Sequence, residues 1–175
     1  MSIKTKAITT TTTGFAIIVV VAAAALFGIT TITTIVTGLG LHIINFAFAQ
    51  QQQPQTFTAK LSGSNEVPPV TTSATGMAQF QLTADGSQIN YKLNATNLNN
   101  FMMAHIHQGK ASENGPPVTA PLSMGSGKIT ASDLQGPLAG KQLSDLINLM
   151  KTGGTYTNIH TQTNQNGEIR GQISP

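Results

Sequence analysis

The fold is decided by the stretch GMAQFQLTADGSQINYKL, residues 76–93. Apolar and polar residues alternate on both sides of ADGS, residues 84–87, and this alternation is typical of strands with one buried face. An Asp-Gly pair between two such runs favours a tight β-hairpin turn. The stretch therefore predicts an antiparallel hairpin whose buried side carries Ala78, Phe80, Leu82, Ile89, Tyr91 and Leu93.

Strand-like runs recur along the chain, at residues 57–61, 101–108, 155–163 and 168–173. One segment differs, because its apolar residues follow the spacing of an amphipathic helix. These residues are Leu143, Leu146, Ile147 and Met150. Short strands separated by turns are typical of all-β sandwiches and barrels. We expect a Greek-key, immunoglobulin-like β-sandwich with one short helix.

The first 49 residues have a different composition. Lys4 and Lys6 precede a span, residues 14–49, that contains no charged residue and begins with the apolar run GFAIIVVVAAAALFGI. A basic start, an apolar run and AFA at residues 47–49 are typical of a secretory signal cleaved after Ala49. The span is also longer than the roughly 20 residues that cross a bilayer, so an uncleaved membrane anchor is the alternative.

Both alternatives predict an N-terminal hydrophobic helix, and both place the rest of the chain outside the cell, either secreted or held at the outer face of the membrane. Residues 50–55 are expected to be a linker, and residues 56–175 the folded domain. Residues 50–175 contain seven Lys/Arg and six Asp/Glu without a basic run, so nucleic acid is not an expected partner. The chain has no cysteine, so its core must stabilise it without disulfides.

Two of the four histidines stand one residue apart in FMMAHIHQ, residues 101–108. Side chains at i and i+2 of a strand share a face, and their Cα atoms are about 6.6 Å apart, so His105 and His107 can converge on one ion. His160, on a later strand, can supply a third ligand. Neutral imidazole suits copper and zinc, and such a site would lose affinity as the histidines protonate near about pH 6–7. The alternative is a structural, hydrogen-bonded cluster.

Met103 lies on the same predicted face as His105 and His107. Its thioether could add a soft ligand for Cu(I), or its side chain could fill the core.

Four blocks of the sequence resemble the CHRD domain, which is named for its occurrence in chordin. The blocks are LSGSNEVPPVTTSATGMAQFQL, AHIHQGKASENGPPV, ITASDLQGPLAGKQLSDLINLMKTGGTYTNIHT and NGEIRGQI, and together they span about residues 56–173. The resemblance implies an exported CHRD domain that acts as an extracellular or cell-surface binding module, without assigned catalysis. Its expected partner is an extracellular protein or a glycan.

A weaker resemblance is to the copper/zinc superoxide dismutase sandwich, through the His-x-His pair, a later lone histidine and a C-terminal arginine. It implies that His105, His107 and His160 bind copper and that Arg170 guides anions. The chain departs from that family, because no histidine lies between His107 and His160 and no cysteine is available for its disulfide. A metal-dependent redox enzyme of the dismutase type is therefore the least favoured of the alternatives.

Three charged residues are candidates for support of the histidines. Glu66 precedes Pro68 and Pro69, so we expect it in a rigid loop, with contact to a ligating histidine as the alternative. Glu168 and Arg170 share a strand face, where a surface ion pair is expected. No cysteine nucleophile, phosphate-binding loop or carboxylate dyad is recognisable. The sequence favours a binding module over an enzyme, with a small copper- or zinc-binding protein as the alternative.

Overall fold

The computed structural model describes residues 54–175 and, ahead of them, four strands: β1 (Ile8–Thr12), β2 (Phe15–Val19), β3 (Ile32–Thr37) and β4 (Gly40–Asn45). β1 pairs antiparallel with β2, and β3 with β4. The chain divides into two compact units, Met1–Gln51 and Gln52–Pro175.

The predicted N-terminal helix and the cleavage site after Ala49 fall largely outside the described residues. The described part of the apolar run, Phe15–Val19, is a strand rather than a helix. Among the residues that the structure describes, no helix has both the length and the apolar character needed to span a membrane.

The second unit is built around one antiparallel sheet of seven strands. In chain order these are β5 (Thr56–Ser62), β6 (Thr75–Leu82), β7 (Ile89–Thr96), β8 (Phe101–Gln108), β9 (Gly125–Ile129), β10 (Thr155–Thr161) and β11 (Ile169–Gln172). Their order in space is β8–β10–β11–β5–β6–β7–β9. Three short 3-10 helices lie in the connections, at Gly63–Asn65, Ala131–Asp133 and Gly136–Leu138.

A single α-helix, α1 (Leu143–Lys151), occurs in this part of the chain, and it buries the four apolar residues that predicted it. All seven strands and α1 contribute side chains to one core cluster, so the sheet curls around a shared interior. The prediction of an all-β fold with one short helix is confirmed. The Greek-key, immunoglobulin-like topology stays a prediction.

The β6–β7 hairpin forms as its alternation predicts. Phe80 pairs with Tyr91 across the hairpin, and both side chains are buried. The turn is closed by Asp85, whose carboxylate accepts hydrogen bonds from the hydroxyls of Thr83 and Ser87 at 2.6 and 2.9 Å. β9 was not predicted, because its sequence GSGKI contains two glycines and only one large apolar residue.

Candidate metal centre

The histidines lie on the face of the sheet that points away from the core. Across β8 and β10, His107 pairs with Tyr156, His105 with Asn158, and Met103 with His160. On β11, Arg170 pairs with Asn158 and Gln172 with Tyr156. We call these eight residues the histidine face: Met103, His105, His107, Tyr156, Asn158, His160, Arg170 and Gln172.

The structure brings together the three histidines that the sequence singled out. The centroids of their rings are 5.5–5.7 Å apart in all three pairs. One nitrogen from each ring lies within 4.8 Å of one nitrogen from each of the others. Among the described residues, His105, His107 and His160 are the only group of three or more His, Cys, Asp or Glu side chains that meets this condition.

Two backbone carbonyls orient the rings. Nδ1 of His107 lies 2.8 Å from the Gly115 oxygen, and Nδ1 of His160 lies 2.9 Å from the Gln165 oxygen. A carbonyl oxygen can only accept a hydrogen bond, so Nδ1 of each ring carries the proton. Each neutral ring therefore keeps a free lone pair on Nε2. A backbone carbonyl bonded to the other ring nitrogen is the usual arrangement around a metal-ligating histidine.

The nitrogens that remain fit a metal ion. Nδ1 of His105, Nε2 of His107 and Nε2 of His160 are buried and have no hydrogen-bond partner within the described part of the chain. Ligands at 2.0–2.1 Å from one ion are about 3.3 Å apart when tetrahedral and about 4.1 Å apart when trans. One nitrogen from each of the three rings lies within 4.8 Å of the others, which is somewhat wider than these spacings, and the donor set is one that copper and zinc accept.

Burial changes how these histidines titrate. Loss of solvent lowers the pKa of His105, His107 and His160, and it brings the pKa of His107 to about 4. Protons therefore compete with a metal for these nitrogens at lower pH than the expected range of about pH 6–7. The correction follows from burial, which the sequence pattern of an exposed strand face did not predict.

Arg170 is a buried residue that holds neighbouring groups in place, not a surface residue. It is 1% exposed, and its guanidinium lies 3.4 Å from the centre of the Tyr156 ring, which in turn stacks on His107. Its Nη2 donates to the carbonyls of Lys110 and Glu113, at 2.6 and 2.8 Å. Arg170 thus holds the loop that carries Gly115 against the histidine face.

Glu168 and Arg170 do not form the expected surface ion pair. Both residues are buried, and each forms hydrogen bonds to other groups. Glu168 accepts hydrogen bonds from the hydroxyls of Thr161 and Thr72, at 2.7 and 2.8 Å. Burial alone would raise the pKa of Glu168, but these hydrogen bonds outweigh it and the pKa is lowered.

Glu66 lies in the loop after β5, as expected, but it points inward and is only 6% exposed. Burial raises its pKa to about 7, against the opposing charge of Arg170. A Cβ atom added at Gly167 would lie 2.5 Å from Oδ1 of Asn158 and 2.7 Å from Oε1 of Glu66, so both oxygens border the same small space. Neither oxygen has a hydrogen-bond partner among the residues described.

Sequence reasoning missed four contributors to this site: Tyr156, Asn158, Gly115 and Gln165. Tyr156 and Asn158 could have been found, since alternation along TYTNIHT places them on one face with His160. Gly115 and Gln165 could not, because each contributes only its backbone carbonyl.

Residues 57–173 match the family model of the CHRD domain, which is most of the chain. The chain belongs to the CHRD family. CHRD domains are in general extracellular binding modules, which is compatible with an extracellular protein as partner. No curated protein and no solved structure matches the chain. The superoxide dismutase resemblance has no support from these comparisons.

Proposed function

We propose that this CHRD protein is a binding module that acts outside the cell, secreted or tethered through residues 14–49, and that it binds a copper or zinc ion through His105, His107 and His160. One observation carries the metal proposal. Three imidazole nitrogens are buried together without hydrogen-bond partners among the described residues, and a metal ion is a ligand that would satisfy all three.

The competing interpretation, a structural cluster, predicts that the ring nitrogens bond to one another or to neighbouring groups. The Gly115 and Gln165 carbonyls bond to Nδ1 of His107 and Nδ1 of His160. Nδ1 of His105 and Nε2 of both other rings have no such partner among the described residues. Leaving these three ring nitrogens buried without hydrogen-bond partners costs roughly 1–3 kcal/mol of folding free energy for each. Such a cost is consistent with a site prepared for a ligand. A bound ion would supply a Lewis-acidic centre on this face.

Calorimetric titration of Cu(II) and of Zn(II) into residues 52–175 tests the proposal. This unit contains the whole seven-stranded sheet and its core. We expect sub-micromolar, one-to-one binding that His105→Ala/His107→Ala abolishes. The matched control is Asn90→Ala/Lys92→Ala, which removes two polar side chains at the same i, i+2 spacing from the exposed face of β7.

Equal binding by the wild type and the histidine variant would refute the proposal, as would no binding by the wild type. Thermal unfolding of each variant without metal separates loss of ligands from loss of fold.

A second binding function is favoured by a groove of about 510 Å³ beside the histidine face. Eight of its ten lining residues have polar side chains, among them Thr58, Lys60, Asn65 and Gln172. Hydroxyl, amide and ammonium groups can bond to the hydroxyls of a glycan. We expect the domain to retain particular glycans on an array and Lys60→Ala to weaken that retention. An array on which no glycan is retained would leave an extracellular protein as the partner to be sought.

A further inference from the structure

Met103 is a direct neighbour of the histidines on two adjacent strands. It precedes His105 by two residues on β8 and pairs directly with His160 on β10. Directly opposed residues on an antiparallel pair have Cβ atoms about 4.5–5.5 Å apart and share a face. Two of the three histidines are therefore the nearest neighbours of Met103 on its own face of the sheet.

The burial of Met103 does not come from the core. Its side chain is partly buried, yet Met103 belongs neither to the core cluster of this domain nor to the partly buried apolar residues packed against that cluster. The neighbouring Phe101 does pack against the core. Filling of the core, the alternative explanation for a methionine here, is thus not supported by the packing.

A break in strand pairing sets Met103 apart from Met102. His160 pairs with Met103 and Thr161 pairs with Phe101, so the pairing skips Met102, which is 43% exposed. A bulge of this kind re-aims the side chains beside it and is frequent next to functional sites. The two adjacent methionines therefore stand in different surroundings, and only Met103 lies on the histidine face.

We propose that the Met103 thioether is the fourth ligand of the site and makes it selective for Cu(I) over Zn(II). This inference rests on the proposed metal-binding function. A thioether is a soft ligand that favours Cu(I), whereas zinc sites in proteins use thiolate, imidazole and carboxylate. Three imidazoles and one thioether form a four-coordinate set in which only the sulfur distinguishes the two metals.

The test compares Met103→Leu with Met102→Leu, two volume-conserving changes at adjacent positions. Cu(I) affinity is measured anaerobically by competition with the chromogenic chelator bicinchoninate, and Zn(II) affinity by calorimetry. For Met103→Leu we expect Cu(I) affinity to fall by about tenfold or more, at least the loss that outer-shell changes cause, and Zn(II) affinity to stay unchanged. Met102→Leu should change neither.

X-ray absorption at the copper edge gives a second measurement that needs no variant, since a sulfur atom in the first shell is expected for the wild-type Cu(I) protein. A shell of nitrogen and oxygen alone, or unchanged Cu(I) affinity in Met103→Leu, would overturn the proposal. Equal losses for Cu(I) and Zn(II) would also overturn it, because Met103 would then act by shaping the site. If the wild type binds neither metal, the proposed function itself fails, and the proposal for Met103 fails with it.

Discussion

Strands β7 and β10 belong to the same sheet but differ in how far water reaches their outer faces. On β7, Ile89, Tyr91 and Leu93 are buried, and the residues between them, Asn90 and Lys92, are exposed. On β10, every residue from Thr155 to Ile159 is buried and His160 is partly buried. The outer face of β7 is thus an ordinary wet surface, whereas the outer face of β10 is covered.

Because the outer face of β10 is covered, its polar side chains are buried and can form a binding site. Burying a polar group without a hydrogen bond costs free energy, so natural proteins normally pair such groups. Next to β10 the unpaired nitrogens and oxygens accumulate instead, on the three histidines, Asn158, Gln172 and Glu66, and also on Thr155 and Thr157 of the core face of β10. The histidine face therefore differs from the outer face of β7 in being organised for a ligand.

The largest effect is expected from Arg170→Met. The change removes a buried charge and leaves the carbonyls of Lys110 and Glu113 and the side chain of Asn114 without their donor. We expect the free energy of unfolding to fall by about 3–5 kcal/mol, the range for removing one partner from a buried charged network. Chemical denaturation of residues 52–175 measures it.

Lys92→Met makes the same kind of change on the exposed face of β7 and should alter stability by less than about 0.5 kcal/mol. Similar losses of unfolding free energy in the two variants would mean that the covered face and the exposed face do not differ energetically.

The next effect concerns Glu66 and pH. Its pKa is about 7 in the folded protein and 4.5 when exposed, so between these values the folded state holds a proton that the unfolded state has released. Rising pH therefore lowers the free energy of unfolding across this window. Glu66→Gln removes the titration, and above pH 7 we expect it to be more stable than the wild type by up to roughly 3 kcal/mol.

Urea unfolding of the metal-free wild type and variant at a series of pH values gives the measurement. The histidines act in the opposite direction, because their lowered pKa values make stability rise with pH as the unfolded rings lose their protons. This contribution is common to both proteins and cancels in their difference. A difference that stays constant with pH would show that Glu66 is already ionised when buried.

Much of this fold could be predicted from sequence because its signals are local. Alternation and Asp-Gly located the β6–β7 hairpin, and the i, i+3, i+4 spacing located α1, since each pattern is written within one element. β9 escaped because its two glycines suppress the pattern, and its place beside β7 depends on a distant pairing.

The site was only half predictable for the same reason. Alternation placed His105 and His107 on one face, but their meeting with His160 depends on the β8–β10 pairing between residues about fifty positions apart. Alternation also separates a core face from an outer face without saying whether the outer face is wet. That is why Glu168 and Arg170 were expected at the surface and are buried.

A smaller effect is expected from Gly115→Ala. An added Cβ would clash with the Gln108 carbonyl oxygen, so the loop must shift and carry away the oxygen that orients His107. We expect Zn(II) affinity to fall by about 10–100-fold, the usual cost of losing an outer-shell partner. Calorimetry provides the measurement.

The control is Gly86→Ala, in the exposed turn of the β6–β7 hairpin. A Cβ there meets nothing within 4 Å, but φ of +70° is strained for alanine. We expect a stability loss of about 1–2 kcal/mol with unchanged metal affinity. Unchanged affinity in Gly115→Ala as well would mean that the carbonyl does not prepare His107.

The smallest gain in Zn(II) binding is expected when the motif itself is moved. Asn90→His/Lys92→His places a His-x-His pair on the exposed face of β7, and His105→Ala/His107→Ala in the same protein removes the native pair. The grafted imidazoles are solvated, are not oriented by the carbonyls of Gly115 and Gln165, and have no His160 across the strand. We expect only weak Zn(II) binding, at least about 100-fold below the wild type and beyond what an outer-shell loss costs. Wild-type affinity in the graft would mean that spacing alone makes the site, and that burial on the histidine face contributes nothing to it.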